Sequence, residues 1–447
     1  MPLLFLNKNF LVVKKTKLGK KLFAKYYSYI IKLSFSFSLP ILKQFLIKSL
    51  IVREKDKNVI WYLDHKRSLS EVEFLNKKFN LLLTNVLFIK EIILFLDEKD
   101  DLYQKKVDFF YAILSELKVK ILISPAIHYK LNIIGYLAKQ FDMKFIVVHR
   151  ECYSFSTLHT KNFSERLRSM REKFRLIDRV IVHNDVYKDL FVKFGQMDKD
   201  NVLIIGPLRF CKLKDISQKI VKKKNKIVFF SFTPAHSAWI DQNPTVLPIN
   251  HWGEINYFLN NNLIHKNIME KEVYFYEHFI QSHLIFINNA IKFPEIEFEI
   301  KIKWQDHRWS DLIDKIILLE IGKQPHNLKI TSDSNYWNKI QESFLICGYC
   351  STTLLEGAYL NVPAAQFVCG ELNDKKIYDE RCRIKGHEDS FFIVKEKNDL
   401  TELIINRKKL INEQKLSESK KHFFRYVANI DKENLEDKFQ KTIEQLL

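Results

Sequence analysis

Glycine and proline are scarce, with ten of each in 447 residues. That excludes a collagen-like, fibrous or loop-rich chain, which needs both in quantity. No apolar stretch followed by a small-residue cleavage site marks a secretion signal, so the chain reads as cytoplasmic. In that compartment Cys152, Cys211, Cys347, Cys350, Cys369 and Cys382 are not expected to form a disulfide framework. There is no internal repeat, and no RNP-like aromatic strand, helix-turn-helix or basic zipper of a nucleic-acid-binding protein. What is abundant is apolar: 47% of residues, enough to bury a sizeable core. At this length two α/β domains are expected.

Acidic residues are in deficit. Lys and Arg number 72 against 53 Asp and Glu, a formal charge of +19. Such an excess favours anionic partners, although a Lys/Ile/Asn/Phe-rich composition also follows from an AT-rich genome. The basic residues are densest in residues 1–57, where thirteen Lys/Arg face only Glu54 and Asp56. Lys32, Lys43 and Lys48 interrupt the apolar runs there, so a spanning helix is disfavoured. A basic amphipathic segment lying on a membrane surface fits better, with packing on the protein's own surface as the plainer alternative. Interleaved lysines and apolar residues suit anionic lipid better than a duplex, so no nucleic-acid partner is expected.

From residue 58 strand-like runs alternate with helical periods, which predicts parallel βαβ units and open sheets covered by helices. Strands are expected at Asn58–Asp64, Lys120–Ser124, Lys144–Val148, Arg179–His183 and Asn201–Ile205, with a helical stretch from Ser70 and helices at Leu102–Leu117, Leu131–Phe141, Phe163–Phe174 and Asp185–Phe194. The Lys-rich segment 212–225 reads as a linker. Alternation then restarts, with strands at Lys226–Phe232, Phe298–Lys303, Asn327–Thr331, Phe344–Cys347 and Ala364–Val368. The domains expected are 58–211, 226–412 and a C-terminal helical stretch, 413–447. Ligands of such sheets bind at the carboxyl ends of strands and at helix N-termini.

The strongest motif runs from Phe344 to Phe367, FLICGYCSTTLLEGAYLNVPAAQF. An apolar strand ends at Gly348; Ser351, Thr352 and Thr353 open a helix, and Glu356 follows one turn later. Amides and hydroxyls at a helix N-terminus suit a phosphate or diphosphate, and Glu356 shares their face, placed to accept from a ribose hydroxyl. An ordinary Ser/Thr cap is the plainer reading of the same residues. The string resembles the donor-binding strand and helix of GT-B glycosyltransferases, particularly bacterial capsular and surface-carbohydrate enzymes. Those carry a strand, a small residue, Ser-Thr, an apolar pair, Glu-Ala and Gly-x-Pro; here Gly357 follows the Glu and Asn361 replaces the Gly.

Two further stretches are similar to that family. Phe293–His307 follows its Pro-Glu, strand, Lys/Arg-x-His-Pro element, with Lys303 at the basic position and His307 a few residues late for the His. Val180–Arg209 is similar to the end of its N-terminal domain, with Gly206 and Arg209 toward the cleft. Ser231, Thr233 and His236 follow the first strand of the second half, where the family contacts donor phosphates. The resemblance implies two Rossmann-like open-sheet domains facing across a cleft, and a nucleotide-sugar donor as co-substrate. It also implies a lipid-linked or growing cell-surface polysaccharide as acceptor, no cofactor and no metal. An inverting transfer needs a general base. Glu151 and His149, after the strand ending at Val148, are expected to supply it, with Asp64 and His128 behind them. The protein would then work peripherally at the inner face of the cytoplasmic membrane. Transfer of a polyol phosphate from a CDP-activated donor, a silent assembly partner, a Cys347/Cys350 redox pair and a zinc site are the competing readings.

Overall fold

The structure, a computed structural model, describes residues 57–63, 72–83, 108, 111, 114–115, 117–124, 131–150, 157–208, 210, 225–232, 276–302, 307–332, 336–382, 388–410 and 435–447. The basic segment 1–56, most of the expected linker and the Trp/Asn/Pro/His-rich stretch after Phe232 lie outside them. The chain divides into two compact units. One takes in residues up to Val147 with Leu176–Asp178 and Leu446–Leu447, the other Val148–Arg175 and Arg179–Gln445.

The first sheet has strand order β2-β1-β3-β4-β5-β6. Its strands are β1 (Val59–Tyr62), β2 (Asn80–Leu83), β3 (Val119–Ser124), β4 (Lys144–Val148), β5 (Arg179–Val182) and β6 (Val202–Ile204). Near-continuous apolar runs such as VIWY and KFIVV are what parallel strands covered on both faces require. Helices α1 (Leu131–Gln140), α2 (Thr157–Ser169) and α3 (Asp185–Gly195) accompany them. The Asn184 side chain caps α3 by accepting from the Tyr187 amide, and Gln196 ends it in the left-handed region at φ 54°. Two expectations need correcting. The helical stretch expected from Ser70 is, among the described residues, a 3-10 turn over Glu73–Lys77, and it is followed by the unmarked strand β2, because the short run NLLL carries no period that separates strand from helix. The helix expected at Phe163–Phe174 starts at Thr157 and breaks at Met170, with a separate turn over Arg171–Phe174.

The second sheet has order β12-β11-β10-β7-β8-β9. Its strands are β7 (Lys226–Phe230), β8 (Glu297–Lys301), β9 (Leu328–Thr331), β10 (Leu345–Gly348), β11 (Ala364–Phe367) and β12 (Phe392–Val394); β12 is a further strand the sequence pattern did not mark. Every adjacent pair is parallel. Helices α4 (Tyr276–Lys292), α5 (His307–Glu320), α6 (Tyr336–Glu342), α7 (Thr352–Tyr359), α8 (Lys375–Arg381) and α9 (Lys397–Ile405) connect and cover it, and α10 (Leu435–Glu444) follows. Phe229, Phe286, Phe298 and Phe367 interlock at its centre with ring centroids 5.0–5.3 Å apart.

One polar cluster is sealed into this core. Glu299 of β8 is 2% exposed, and Lys226 at the start of β7 reaches its Oε2 at 2.5 Å. Lys339 of α6 and Thr331 of β9 both donate to its Oε1. Burial works against ionisation of Glu299, but these donors overcome it and hold the carboxyl below the usual range.

Candidate functional site

Starting from β7, the second sheet grows through β8 and β9 on one side and through β10, β11 and β12 on the other. The chain therefore reverses direction between β7 and β10, and a ligand-binding crevice opens at the carboxyl ends of strands flanking such a reversal.

The turn after β10 occupies that position. Gly348 pairs with Phe230 of β7, and a Cβ at Gly348 would stand 3.2 Å from the Phe230 carbonyl oxygen, so glycine permits the close approach. Tyr349 is buried and packs on Phe232 at 5.3 Å. Cys350 turns the chain at φ 43°, and its amide donates to Gln366 Oε1 at 2.9 Å. Ser351 then opens α7, its Oγ accepting from the Thr353 amide at 3.2 Å and donating to Thr353 Oγ1 at 3.1 Å. Ser351, Thr352 and Thr353 are all half-buried. Glu356 is buried and its Oε2 accepts from the Trp337 indole of α6 at 3.1 Å. Gly357 lets α7 sit hard on β10, since a Cβ there would come within 2.2 Å of Ile346 Cδ1.

At the end of β7, Ser231 is held by its neighbours. Its Oγ lies 3.0 Å from His283 Nε2, and His283 Nδ1 is 2.6 Å from the Phe279 carbonyl. The hydroxyl sequence reasoning offered to a phosphate thus has an interior partner. His278 stacks on Phe232 at 4.9 Å and meets Tyr349 edge-on at 4.4 Å. Burial holds both imidazoles neutral, His278 down to about 3 and His283 down to about 4.

The N-terminus of α4 is closed by the protein itself. Glu371, after β11, accepts from the amides of Glu277 at 3.0 Å and His278 at 2.6 Å. Burial pushes its carboxyl up to about 7 against those amides, and the nearby Glu277 carboxylate adds to the rise. A folded-state value above the unfolded one means this contribution is complete below the unfolded carboxylate range and lost as pH rises through about 7. The melting temperature should therefore fall between about pH 5 and 8 more steeply than in Glu371→Gln, and parallel pH curves would refute that.

The structure brings Gly348, Ser351, Thr352, Thr353, Glu356 and Ser231 to the same end of β7 and β10. His307 is the first residue of α5, and its side chain is not among those described. Lys303, Thr233, Arg209 and Glu151 lie outside the described residues, as do His236, Asp64 and His128. His149 follows β4, buried against Phe163 at 5.0 Å, Tyr187 at 5.5 Å and Phe191 at 5.6 Å. Burial, helped by Arg166, lowers it to about 3, which makes it a weak base near neutrality. Cys347 and Cys350 are buried and unbridged, and burial pushes the Cys347 thiol up, opposite to what a redox nucleophile needs. Trp337, Gln366, His278 and Glu371 escaped sequence reasoning. Only Gln366 left a signal, as a lone polar residue inside an apolar strand.

No protein-family model matches the chain, and no curated protein matches it in sequence. Solved structures do. A protein from Listeria monocytogenes assigned as a UDP-N-acetylglucosamine 2-epimerase aligns with a TM-score of 0.52 at 10% identity, over 87% of this chain and 96% of that one. The UDP-GlcNAc 2-epimerase of Methanocaldococcus jannaschii aligns with a TM-score of 0.50 at 9% identity, over 87% and 99%. A glycosyltransferase from Rickettsia africae has a TM-score of 0.49 at 11% identity, over 88% and 99%. Two six-stranded sheets of Rossmann-like order, shared along nearly the whole length of such proteins, make this chain a GT-B fold.

Proposed function

We propose that the chain is a glycosyltransferase that moves a sugar from a nucleotide-activated donor to a lipid-linked or growing cell-surface polysaccharide. The observation that carries this reading is the β10–α7 turn beside the strand reversal, where hydroxyls and amides open a helix and a buried carboxylate stands one turn in. In this reading residues 226–412 bind the donor and residues 58–211 the acceptor. The amino end of α7, with Thr352 and Thr353, faces the diphosphate, and Glu356 accepts from the ribose. Lys303, His307, Thr233 and Arg209 supply further donors to the phosphates. Glu151 takes the proton of the acceptor hydroxyl as its oxygen attacks the anomeric carbon and the bond to the diphosphate breaks. The leaving charge is then stabilised by helix-end amides and basic residues, without a metal.

The membrane-surface part of the acceptor assignment rests on charge. With +19 overall, and its densest basic stretch in residues 1–57, the protein suits an anionic lipid surface from the cytoplasmic side. No described helix is long and apolar enough to cross a membrane. A second reading, epimerisation of the sugar while it stays attached to the nucleotide, is favoured by the two epimerase structures named above.

Incubation with UDP-, GDP-, CMP- and CDP-activated donors and a membrane extract separates the readings. Transfer releases free nucleotide and labels the lipid or polysaccharide fraction, and a CDP-polyol phosphotransferase would release CMP. Epimerisation changes the sugar and releases nothing, and that result would displace the transferase reading.

A further inference from the structure

We propose that Gln366 is a positioning residue of the nucleotide site, holding the β10–α7 turn in the shape that receives a diphosphate; this rests on the glycosyltransferase reading. Cys350 lies at φ 43°, a left-handed conformation that residues with a Cβ adopt only when something holds them there. No glycine relieves that position. In its place Gln366, with no solvent exposure, directs its Oε1 to the Cys350 amide at 2.9 Å. Its Nε2 approaches the sulfur of the same residue at 3.5 Å. Both ends of one buried amide are thus spent on a single turn residue.

The backbone makes that reach possible. Strands β10 and β11 run parallel with Gly348 opposite Gln366, so the side chain arrives two residues beyond its ladder partner. Without that acceptor the Cys350 amide loses its 2.9 Å hydrogen bond, and the left-handed turn loses a restraint. The next residue is Ser351, whose Oγ fixes the Thr353 amide. A rotation at Cys350 therefore swings Ser351, Thr352 and Thr353 together and spoils the alignment of the α7 amino end. Gln366 touches no ligand itself. It acts through the turn.

The test titrates UDP, CDP and GDP, and the matching nucleosides, into wild type, Gln366→Met and Gln366→Glu. Methionine keeps the volume and removes the acceptor; glutamate keeps an acceptor oxygen. Gln366→Met should bind the diphosphate at least about tenfold more weakly, with nucleoside affinity unchanged, while Gln366→Glu stays within about threefold of wild type. A purely structural role would lower nucleoside and diphosphate affinity alike, and that result, or unchanged diphosphate binding in Gln366→Met, overturns the proposal. If the methionine variant does not fold, Gln366→Asn, one methylene short of the amide, must show the same selective loss. Failure of folded wild type to bind any of the three diphosphates would instead sink the reading of a diphosphate-activated donor and this proposal with it.

Discussion

Glu299→Ala should cost about 3–5 kcal/mol of stability, because it strands a buried ammonium. Lys226 is 5% exposed and has Glu299 as its 2.5 Å partner, with Glu297 more distant at 3.5 Å. Lys339 and Thr331 lose the same acceptor. Denaturant melts of the single variant and of Glu299→Ala with Lys226→Met test the cause. The double variant should recover part of the loss, since it also removes the buried Lys226 ammonium and leaves only the half-buried Lys339 and Thr331 short of one acceptor. A double variant no better than the single one would show that packing, and not the orphaned charge, sets the cost. The pH dependence has a definite sign. The folded carboxyl is held below its unfolded value, so its contribution is present above the unfolded range and disappears as pH falls through the folded one. Wild type should therefore lose an acid-sensitive increment that the alanine variant lacks.

Gly370→Ala is expected to be nearly as damaging, for a backbone reason. Gly370 sits at φ +60°, and a Cβ there would lie 2.4 Å from the His278 nitrogen and 2.7 Å from the Glu277 carbonyl carbon. Main-chain atoms at a helix start cannot step aside as a side-chain tip can. Left-handed strain and overpacking together suggest about 3 kcal/mol or more. The same displacement would pull Glu371 from the α4 amides, so the variant's stability should also lose the pH dependence attributed to that carboxyl. Gly357→Ala is the control, because the nearest atom it meets is the flexible end of Ile346. Its cost should be visibly smaller, and equal losses at the two glycines would contradict the distinction.

How legible was this in the sequence? Strands with four apolar residues in a row or a sharp terminator, such as KIVFF at β7 and the run ending in Gly348 at β10, announced themselves. The runs NLLL and FIV did not, because three apolar residues fit a helix or a strand equally well. The stretch FEIKIK shows alternating charge of the kind a half-exposed strand carries, yet Glu299 and Lys301 are both buried. Helix α6 and the start of β7 supply the countercharge for Glu299 from positions that no local pattern connects. The turn from Gly348 to Glu356 was readable because its chemistry is local, the two hydrogen bonds between Ser351 and Thr353 spanning only two residues. Its supports were not. Gln366 lies 16 residues from Cys350, and Glu371 closes α4 from 93 residues away.

The central claim is that a nucleotide sugar binds at the amino end of α7. A thermal-shift screen of the folded protein against UDP-, CMP-, GDP- and CDP-activated donors, repeated with Glu356→Ala and Thr352→Ala, tests it most directly. A ligand at about a hundredfold excess over its Kd stabilises the native state by about 2.7 kcal/mol, a clear rise in melting temperature. The account predicts that rise for one nucleotide class in wild type and its loss in both variants. No rise with any donor, or a rise that survives both substitutions, would contradict it.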